Sequence, residues 1–323
     1  KLNKYKLSIV KLSPSLFLHF GTTKELLEIM TDKLEEYEYL NWREKTASFY
    51  DTENKASMIN SYIENSTVQD HVYLENSSVI NSSLGDHVII SNTVVLNQTI
   101  PSDVALSSVI LKNGKYVTRI YDITLNPKDI LDENKVIFNS KNTNILKSEY
   151  GKSLWNANIY PIGNTMEESV SNAILLYNVI TKNASNEEIE KYKSLEKTSL
   201  CDSFNQSDTN KMLESTFLLE KDILINKILL ILKNHDNLNK AKDLIENSTI
   251  KDELINLLKN NNDKSLEMRK YYLLWMIENN KEYLTESFAS IGSNLKKLNE
   301  KGIPKFIHDK VEIHNPVRIN FGG

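Results

Sequence analysis

The most regular feature of the chain is a sixteen-residue alternation of aliphatic and polar positions between residues 57 and 112. Within each repeat, one aliphatic residue returns every five or six positions. A fixed short period of this kind is typical of a parallel β-helix, in which each face of a three-sided coil turns one aliphatic side chain inward. About four coils at about 4.8 Å each make a stack roughly 19 Å tall. The residues that we expect inside are Ile63, Val68, Leu74, Val79, Leu84 and Ile90.

Polar residues at the start of each face predict the corners of the coils. Two series of asparagines recur at the same spacing: Asn60, Asn76 and Asn92, and then Asn65, Asn81 and Asn97. Asparagine tolerates left-handed dihedral angles and can hydrogen-bond to the asparagine one coil away. We therefore expect asparagine ladders along two edges of the solenoid.

Two histidines, His71 and His87, occupy equivalent places in successive repeats. Each follows an aspartate, Asp70 or Asp86, and precedes a valine that we expect to point inward. This context favours a polar, exposed corner. Because many short-coil β-helices are acyltransferases, an acyltransferase base is the alternative role, although a motif without its site context supports it weakly.

Before the repeat, residues 1–50 predict a strand, a tight turn and a helix. Gly21 ends an apolar run, and Thr22 and Glu25 then have the spacing of a capping box. Apolar residues follow at helical spacing from Leu26 to Leu34. A helix N-terminus directly after a strand has free N–H groups and a positive dipole end, which can hold an anion. An ordinary βα turn has the same features and is the commoner explanation.

After the repeat, residues 113–165 have no clear period. Turns are predicted at Asn113-Gly114 and at residues 126–129. Residues 154–162 form an aromatic-rich extended segment, which we expect to pack one domain against the next. A ligand-stacking role for Trp155 is a weaker alternative.

Residues 165–300 have helical periodicity, with capping-box spacing at Thr165 and Glu168 and at Ser185 and Glu188. We interpret two apolar stripes as the packing faces of long helices. The first contains Leu213, Phe217, Leu224, Ile228 and Ile231, and the second contains Met268, Tyr272, Trp275, Met276, Leu284, Phe288 and Ile291. Cys201 has no histidine at a recognisable spacing, so we expect an inert core thiol.

Composition excludes several classes of protein. The 39 Lys and Arg residues against 43 Asp and Glu residues leave a net charge of −4, so there is no basic footprint for nucleic acid. One cysteine excludes a disulfide framework and agrees with a reducing cytoplasm. The longest apolar stretch, residues 223–232, is too short to span a bilayer, and no signal-peptide pattern is present. We therefore expect a cytoplasmic protein with no nucleic-acid or membrane partner.

Motifs near the two ends resemble two enzyme families. Residues 316–323, Pro-Val-Arg-Ile-Asn-Phe-Gly-Gly, resemble the first motif of the GHMP small-molecule kinases, closest to the fucokinase branch. Residues 17–23, Phe-Leu-His-Phe-Gly-Thr-Thr, resemble the F-x-H-x-G-T-T motif of fucose-1-phosphate guanylyltransferases. With the β-helix, residues 154–157 and residues 203–208 between them, the order is similar to the middle of the bifunctional fucokinase and GDP-fucose pyrophosphorylase family.

This resemblance implies two reactions in a longer protein, of which we expect this chain to be an internal piece. A kinase makes L-fucose 1-phosphate from L-fucose and ATP. A guanylyltransferase makes GDP-L-fucose and pyrophosphate from that product and GTP. The chain alone is expected to be silent or nearly so, because the nucleotide-binding segments of both halves lie outside it.

The resemblance also assigns site residues. Arg318 matches the kinase arginine and is the expected catalytic residue, stabilising charge during phosphoryl transfer. Asn320 and Gly322 match by position only. His19 stands where related sugar nucleotidyltransferases have a magnesium-binding aspartate. Because Mg²⁺ prefers oxygen ligands, His19 is expected to bind phosphate or sugar, and no residue here is expected to bind the metal. Gly21 and Thr22 complete the expected substrate-binding set.

The expected fold is α+β, with a left-handed parallel β-helix at its centre. Residues 1–50 are the edge of a nucleotidyltransferase domain, 51–125 the β-helix, 126–165 an extended linker, 166–302 a helical domain and 303–323 the first strands of a GHMP-type kinase. The central segment mainly joins and spaces the two active domains, and a homo-oligomer is a candidate state. The alternatives are a β-helix acyltransferase, a non-catalytic scaffold, and an enzyme for another sugar such as a heptose.

Overall fold

A parallel solenoid of about four turns is the centre of the fold, and helices follow it, so the chain is α+β. The structure is a computed structural model that describes residues 21–40, 42–141 and 144–300. The strands in these ranges are β1 (Lys45–Thr46), β2 (Phe49–Tyr50), β3 (Ser57–Ile59), β4 (Tyr62–Glu64), β5 (Thr67–Val68), β6 (Val72–Glu75), β7 (Ser78–Ile80), β8 (Ser83–Leu84), β9 (Val88–Ser91), β10 (Val94–Leu96), β11 (Thr99–Ile100), β12 (Val104–Ile110), β13 (Tyr116–Asp122), β14 (Val136–Ile137), β15 (Ser140–Lys141), β16 (Tyr160–Gly163) and β17 (Lys197–Thr198).

Helices precede and follow the solenoid. They are α1 (Thr23–Thr31), α2 (Met166–Thr181), α3 (Asn186–Ser194), α4 (Leu200–Asn205), α5 (Thr209–Lys233), α6 (Leu238–Glu246), α7 (Lys251–Asn260), α8 (Glu267–Glu278) and α9 (Lys281–Glu300), with 3-10 turns at Leu34–Leu40 and Asn144–Glu149. The chain divides into two compact units, Lys1–Lys227 and Ile228–Gly323.

Three parallel sheets form the faces of the solenoid. The first face contains β1, β3, β6, β9 and β12, the second β2, β4, β7 and β10, and the third β5, β8 and β11. Ile63 pairs with Val79, and Val79 pairs with Val95, each a step of sixteen residues. The first coil is shorter than the others: Lys45 pairs with Met58, which is a step of thirteen residues. The predicted β-helix and its period are therefore confirmed.

The predicted inward positions are buried at five of six places, at Ile63, Leu74, Val79, Leu84 and Ile90. Val68 is only partly buried against the same core. It lies on β5, the edge strand of the third sheet, where no preceding coil covers it. The exception therefore has a geometric cause and leaves the pattern intact.

Asparagines turn two of the three corners, as predicted. All six members of the two series have positive φ, between 44° and 52°. The Asn60 amide donates to Asn76 Oδ1 at 2.9 Å, and the Asn65 amide donates to Asn81 Oδ1 at 2.6 Å. His71, His87 and Asp103 take the left-handed conformation at the third corner. The predicted left-handed corners are confirmed, the ladder bond joins the first two asparagines of each series, and histidines take the place of asparagines at the third corner.

A ladder of hydroxyl groups lies one residue after the first asparagine series. Ser77 Oγ donates to the Glu75 carbonyl at 2.7 Å and accepts from the Thr93 N–H at 3.1 Å. Ser61 and Thr93 repeat the bond to the carbonyl two residues earlier. Each buried hydroxyl thus satisfies a backbone group that the corner leaves without a sheet partner. We did not predict this ladder, although the Asn-Ser and Asn-Thr pairs mark its places.

The last coil ends where β12 pairs with β13 in antiparallel fashion. Helix α2 packs against β10, β13 and β16, so its apolar face closes this end of the core. A Cβ on Gly163 would approach the Ser169 backbone nitrogen to 2.6 Å, which explains the glycine at this contact. A buried hydroxyl chain links Thr93, Ser108, Thr118 and Ser169 at distances of 2.7–2.9 Å.

The segment that the sequence suggests as an extended linker, residues 126–165, is part of this core. It has little regular structure apart from a hairpin, a 3-10 turn and β16. It buries apolar side chains beside those of the solenoid and α2, namely Leu131, Ile137, Phe138, Leu146, Leu154, Ala157, Ile159 and Tyr160. The aromatic-rich stretch therefore packs within the first unit.

The predicted helical stripes are only partly correct. The first helix exists as α5, but Leu213 and Phe217 are exposed, and Ile223, Ile228 and Leu232 are its buried residues. The second stripe is divided between α8 and α9, because Asn279 ends α8 in the left-handed conformation.

The second stripe is also wrong about the buried face. Leu273, Leu274 and Lys270 are buried, whereas Met268, Tyr272, Phe288 and Ile291 are exposed. The small residue Ser287 faces α8 and donates to the Met268 carbonyl at 2.8 Å. Close helix approach through small side chains leaves the large side chains outside, and apolar periodicity cannot detect that.

Candidate functional site

A cleft of about 890 Å³ opens at the N-terminal end of α1. One wall is the turn of Gly21, Thr22 and Thr23 with Leu26 behind it, and the opposite wall is the loop of residues 124–128. Ser153 and Trp155 complete the lining. The cleft thus brings together a turn, a loop and an aromatic residue that are far apart in the sequence.

The turn at the start of α1 has the predicted capping box. Thr22 Oγ1 accepts from the Glu25 N–H at 3.2 Å, and Glu25 Oε2 accepts from the N–H groups of Gly21 at 2.8 Å and Thr22 at 3.0 Å. The Glu25 carboxylate therefore occupies donors that we expected to be available to an anion. An anion at this turn would use the N–H groups of the next residues in the first turn, or displace Glu25. Substrate binding by Gly21 and Thr22 stays a prediction.

The opposite wall is fixed by local hydrogen bonds. Asn126 Oδ1 accepts from the Lys128 N–H at 3.0 Å, which forms the predicted turn. The Pro127 carbonyl accepts a hydrogen bond from the backbone N–H of Trp155 at 2.9 Å, so the loop and the aromatic residue are held together. Trp155 is 38% exposed and lies against Phe204, with ring centroids 6.4 Å apart. Lys128 is exposed, and its ammonium group has no ion pair with any residue that the structure describes.

Helix α1 is positioned by the outer surface of the solenoid. Its residues Leu27, Ile29 and Met30 pack on the outward side chains Tyr73 and Ile89 of the first face. The Ser57 hydroxyl donates to the Met30 carbonyl and adds a polar contact. We did not predict this docking, although β6 and β9 are apolar on both faces, which is typical of a strand covered on both sides.

The histidine corner forms a second cluster, on the same face as α1. The rings of His71 and His87 stack with centroids 4.6 Å apart and planes 5° from parallel. His71 Nδ1 lies 2.9 Å from Asp86 Oδ1, and His87 Nδ1 lies 3.2 Å from Asp86 Oδ2. On its other side, His71 Nε2 lies 3.4 Å from Asp32 Oδ1, just after α1. This is the polar, exposed corner that the sequence favours.

The pKa shifts of His71 and Asp86 agree with this geometry. The hydrogen bond to Asp86 raises the pKa of His71, and it outweighs partial desolvation, with the Asp32 charge acting in the same direction. Desolvation raises the pKa of Asp86, but the bonds and charges of the two histidines outweigh it and lower that pKa overall.

Metal binding at this corner is opposed by the ring geometry. Donor atoms of His71, Asp86 and His87 lie within 4.8 Å of one another. An ion bound by an imidazole lies in the ring plane along the nitrogen lone pair, and two stacked, parallel rings share no such point. The corner is therefore better described as a hydrogen-bonded cluster than as a metal centre.

The other sequence-predicted site residues, His19, Arg318, Asn320 and Gly322, lie outside the described residues. Cys201 is a free cysteine of intermediate burial in α4, and the Asn205 amide lies 3.4 Å from its sulfur. In the described part of the chain, no helix has both the length and the apolar character needed to cross a membrane.

Comparison with known proteins adds a family. No curated protein and no solved structure matches the chain. The family model described as the fucose pyrophosphorylase domain matches residues 1–165. That range contains the solenoid, α1 and every residue that lines the cleft. The match covers just over half of the 323 residues, and the chain therefore belongs to the fucose pyrophosphorylase domain family.

Proposed function

We propose that this chain serves a fucose-1-phosphate guanylyltransferase. In this reaction, a phosphate oxygen of L-fucose 1-phosphate bonds to the α-phosphorus of GTP. The bond between that phosphorus and the bridging oxygen breaks, which releases pyrophosphate and leaves GDP-L-fucose. The observation that carries the proposal is the family match over residues 1–165, which includes the turn of Gly21 and Thr22 and the cleft that it lines.

The cleft lining suits one end of such a substrate. Lys128 offers a flexible point charge for a phosphate group. Trp155 offers an apolar ring with a polar N–H, a combination that suits a sugar or a base. Hydroxyl groups of Thr22, Thr124 and Ser153 supply hydrogen bonds.

The lining has no carboxylate among the described residues, so it does not fit a magnesium ion, which prefers carboxylates and other oxygen ligands. We assign no step of the reaction to the metal.

We further propose that the protein carrying this chain also phosphorylates L-fucose with ATP in the cytoplasm, and that the central segment joins the two active domains. The support is the kinase-like motif with Arg318, Asn320 and Gly322. These residues serve the kinase reaction, and His19, Gly21 and Thr22 serve guanylyl transfer.

The test uses the natural protein that contains this chain. We expect pyrophosphate release from GTP and Mg²⁺ with L-fucose 1-phosphate, and little with a heptose 1-phosphate or other sugar 1-phosphates. Turnover of another sugar with none of the fucose compound contradicts the substrate and leaves the reaction class in place. Absence of guanylyl transfer with every sugar contradicts the function.

Two variants separate the proposed reactions. We expect His19→Ala to impair pyrophosphorolysis of GDP-L-fucose and to spare fucose phosphorylation. Arg318→Ala should do the reverse, with a loss of about a hundredfold or more. If both variants keep both activities, or each loses both activities with its thermal stability, these two residues are structural.

A third variant tests the cleft itself. Lys128→Ala should raise the KM for the sugar phosphate with little change in kcat if the ammonium binds the ground state and the transition state equally. Lys193→Ala, an exposed lysine of α3, is the matched control. Equal KM values in the two variants contradict a role for the cleft.

A further inference from the structure

We propose that protonated His71 is a pH-dependent brace that fastens the C-terminal end of α1 to the solenoid. The imidazole lies between two carboxylates, with Asp86 on the next coil at Nδ1 and Asp32 at Nε2. Asp32 is the C-cap of α1, and its N–H bonds to the Glu28 carbonyl. The ring therefore joins the end of this helix to two coils of the solenoid.

The protonation state follows from the number of donors. A neutral imidazole has one N–H and one acceptor nitrogen, whereas an imidazolium has two N–H groups. A carboxylate oxygen faces each nitrogen of His71, at 2.9 Å and 3.4 Å. A carboxylate only accepts hydrogen bonds, so a neutral ring satisfies one side and leaves two acceptors facing each other on the other side.

The charges around the ring favour the imidazolium. Four carboxylates surround the corner: Asp32 after α1, and Asp70, Asp86 and Asp103 on successive coils. Lys55 pairs with Asp70 at 3.0 Å, and Tyr177 of α2 faces Asp103. Within the described residues these are the groups that face the cluster, and its net charge is negative while both histidines are neutral. One proton on His71 reduces this repulsion.

The brace has a defined pH window. The pKa of His71 is raised in the folded chain, so its contribution to stability is complete below the unfolded value of about 6.5 and is lost as the pH rises through the folded value. The pKa of Asp86 is lowered, so its contribution is present above its unfolded value and is lost as the pH falls through the folded one. The brace therefore holds between the unfolded pKa values of the Asp86 carboxyl and the His71 imidazole, in weakly acidic solution, and loosens as the pH rises through the raised pKa of His71.

Loosening the brace acts on the helix that lines the cleft. Without it, α1 keeps its apolar contacts and the bond from Ser57 to Met30. The turn of Gly21 and Thr22 lies at the opposite end of the same nine-residue helix. We therefore expect the seating of α1 on the solenoid to weaken as the pH rises.

The left-handed backbone at His71 limits which substitution can be used to test the proposal. His71 has a φ of 53°, so its replacement must tolerate the left-handed region. Asparagine occupies the other two corners with φ of 44° to 52°, so His71→Asn keeps the backbone and removes the titrating ring. Asp32→Asn removes the second carboxylate, and Glu28→Gln, on the same helix and without a contact to His71, is the matched control.

The experiment is a pH titration of the purified full chain. Histidine ring signals are followed by NMR, and His71 is assigned from the signal missing in His71→Asn. We expect its midpoint to lie above the ordinary value and to fall in Asp32→Asn but not in Glu28→Gln. A midpoint that is ordinary, or unmoved by Asp32→Asn, overturns the proposal.

Thermal unfolding gives a second readout. Asp32→Asn should lower the Tm by about 1–3 °C at about pH 6 relative to its effect at about pH 9, where the loss of one carboxylate only relieves repulsion within the cluster. In the His71→Asn background, Asp32→Asn should change the Tm by the same amount at both pH values. Equal losses of Tm at both pH values overturn the proposal. A Tm increase with added ZnCl₂ that is absent in His71→Asn also overturns it, because that result indicates a metal site.

Discussion

The solenoid and the helical unit after Ile228 bury apolar residues by different means. In the solenoid, each inward residue pairs with its equivalent one coil away, so one arrangement is repeated along the axis. In the helical unit, each buried residue has its own surroundings, and Lys270 is buried beside Leu273 and Leu274. A repeated contact can be derived from the sequence period, whereas a contact that occurs once depends on the shapes of particular side chains.

Polar groups show the same difference. In the solenoid, serine hydroxyls satisfy equivalent backbone groups in successive coils, since Ser61 Oγ accepts from the Ser77 N–H and Ser77 Oγ accepts from the Thr93 N–H. In the helical unit, the Lys270 ammonium donates to the Asn261 carbonyl at 2.7 Å, and burial lowers the pKa of this lysine. The solenoid satisfies such groups by repetition, whereas the helical unit does so one contact at a time and leaves the buried Arg269 Nε without a hydrogen-bond partner among the described residues.

The sharpest test of the repeated core is Val79→Asp. Val79 is fully buried between Ile63 and Val95, so an aspartate there would place an unpaired charge among aliphatic side chains. We expect a loss of at least about 4 kcal/mol and unfolding of the solenoid, measured by circular dichroism and chemical denaturation. Thr99→Asp, on the exposed surface of β11, is the control and should change stability little. A folded Val79→Asp chain contradicts the solenoid core.

The matched test in the helical unit is Leu273→Ala. Leu273 is fully buried in α8, and its truncation should cost about 2–5 kcal/mol. Leu257→Ala, on an exposed position of α7, should cost far less. Hydrogen exchange should locate the loss in residues 228–300 and spare the solenoid amides, because Leu273 belongs to the second compact unit. Equal losses in the two leucine variants would mean that the buried face of α8 is wrongly assigned.

The extent of sequence-based prediction follows the same division. The period, the asparagine corners and the capping boxes at Thr22 and Ser185 were predictable, because each depends on residues at fixed spacings. The exposure of Phe288 was not, since α8 and α9 are apolar on several sides and the contact of Ser287 with Met268 selects the buried face.

The same limit applies to the candidate site. The turn at Gly21 was predictable from its motif, but the meeting of that turn with Lys128 and Trp155 was not. That meeting depends on the seating of α1 on the outer surface of the first sheet, a long-range contact with no fixed spacing.

The asparagine corner can be tested without touching the core. Asn76 has a φ of 48° and accepts the Asn60 amide at 2.9 Å. Asn76→Gly keeps the left-handed backbone and loses the ladder bond, which should cost about 0.5–1.5 kcal/mol. Asn76→Ala should cost about 1–2 kcal/mol more, because alanine has a Cβ that opposes this conformation. Equal losses in the two variants, measured by denaturant midpoints, would assign the whole effect to the hydrogen bond.

The last comparison takes one hydroxyl from each region, and it contains the smallest single effect that we expect. Ser77 Oγ accepts from the buried Thr93 N–H, so Ser77→Ala leaves that donor without its partner and should cost about 1–3 kcal/mol. Ser287 Oγ donates to the Met268 carbonyl and accepts from no group among the described residues, so its loss leaves none of their donors without a partner. A carbonyl oxygen that loses one of two potential partners is penalised less than a lone N–H, so Ser287→Ala should cost less than about 1 kcal/mol. The two losses, measured by denaturation under one set of conditions, should therefore differ, with the larger in the solenoid. If Ser287→Ala costs more, the repeated hydroxyls are incidental to the coils and the single contact between α8 and α9 is the stronger restraint.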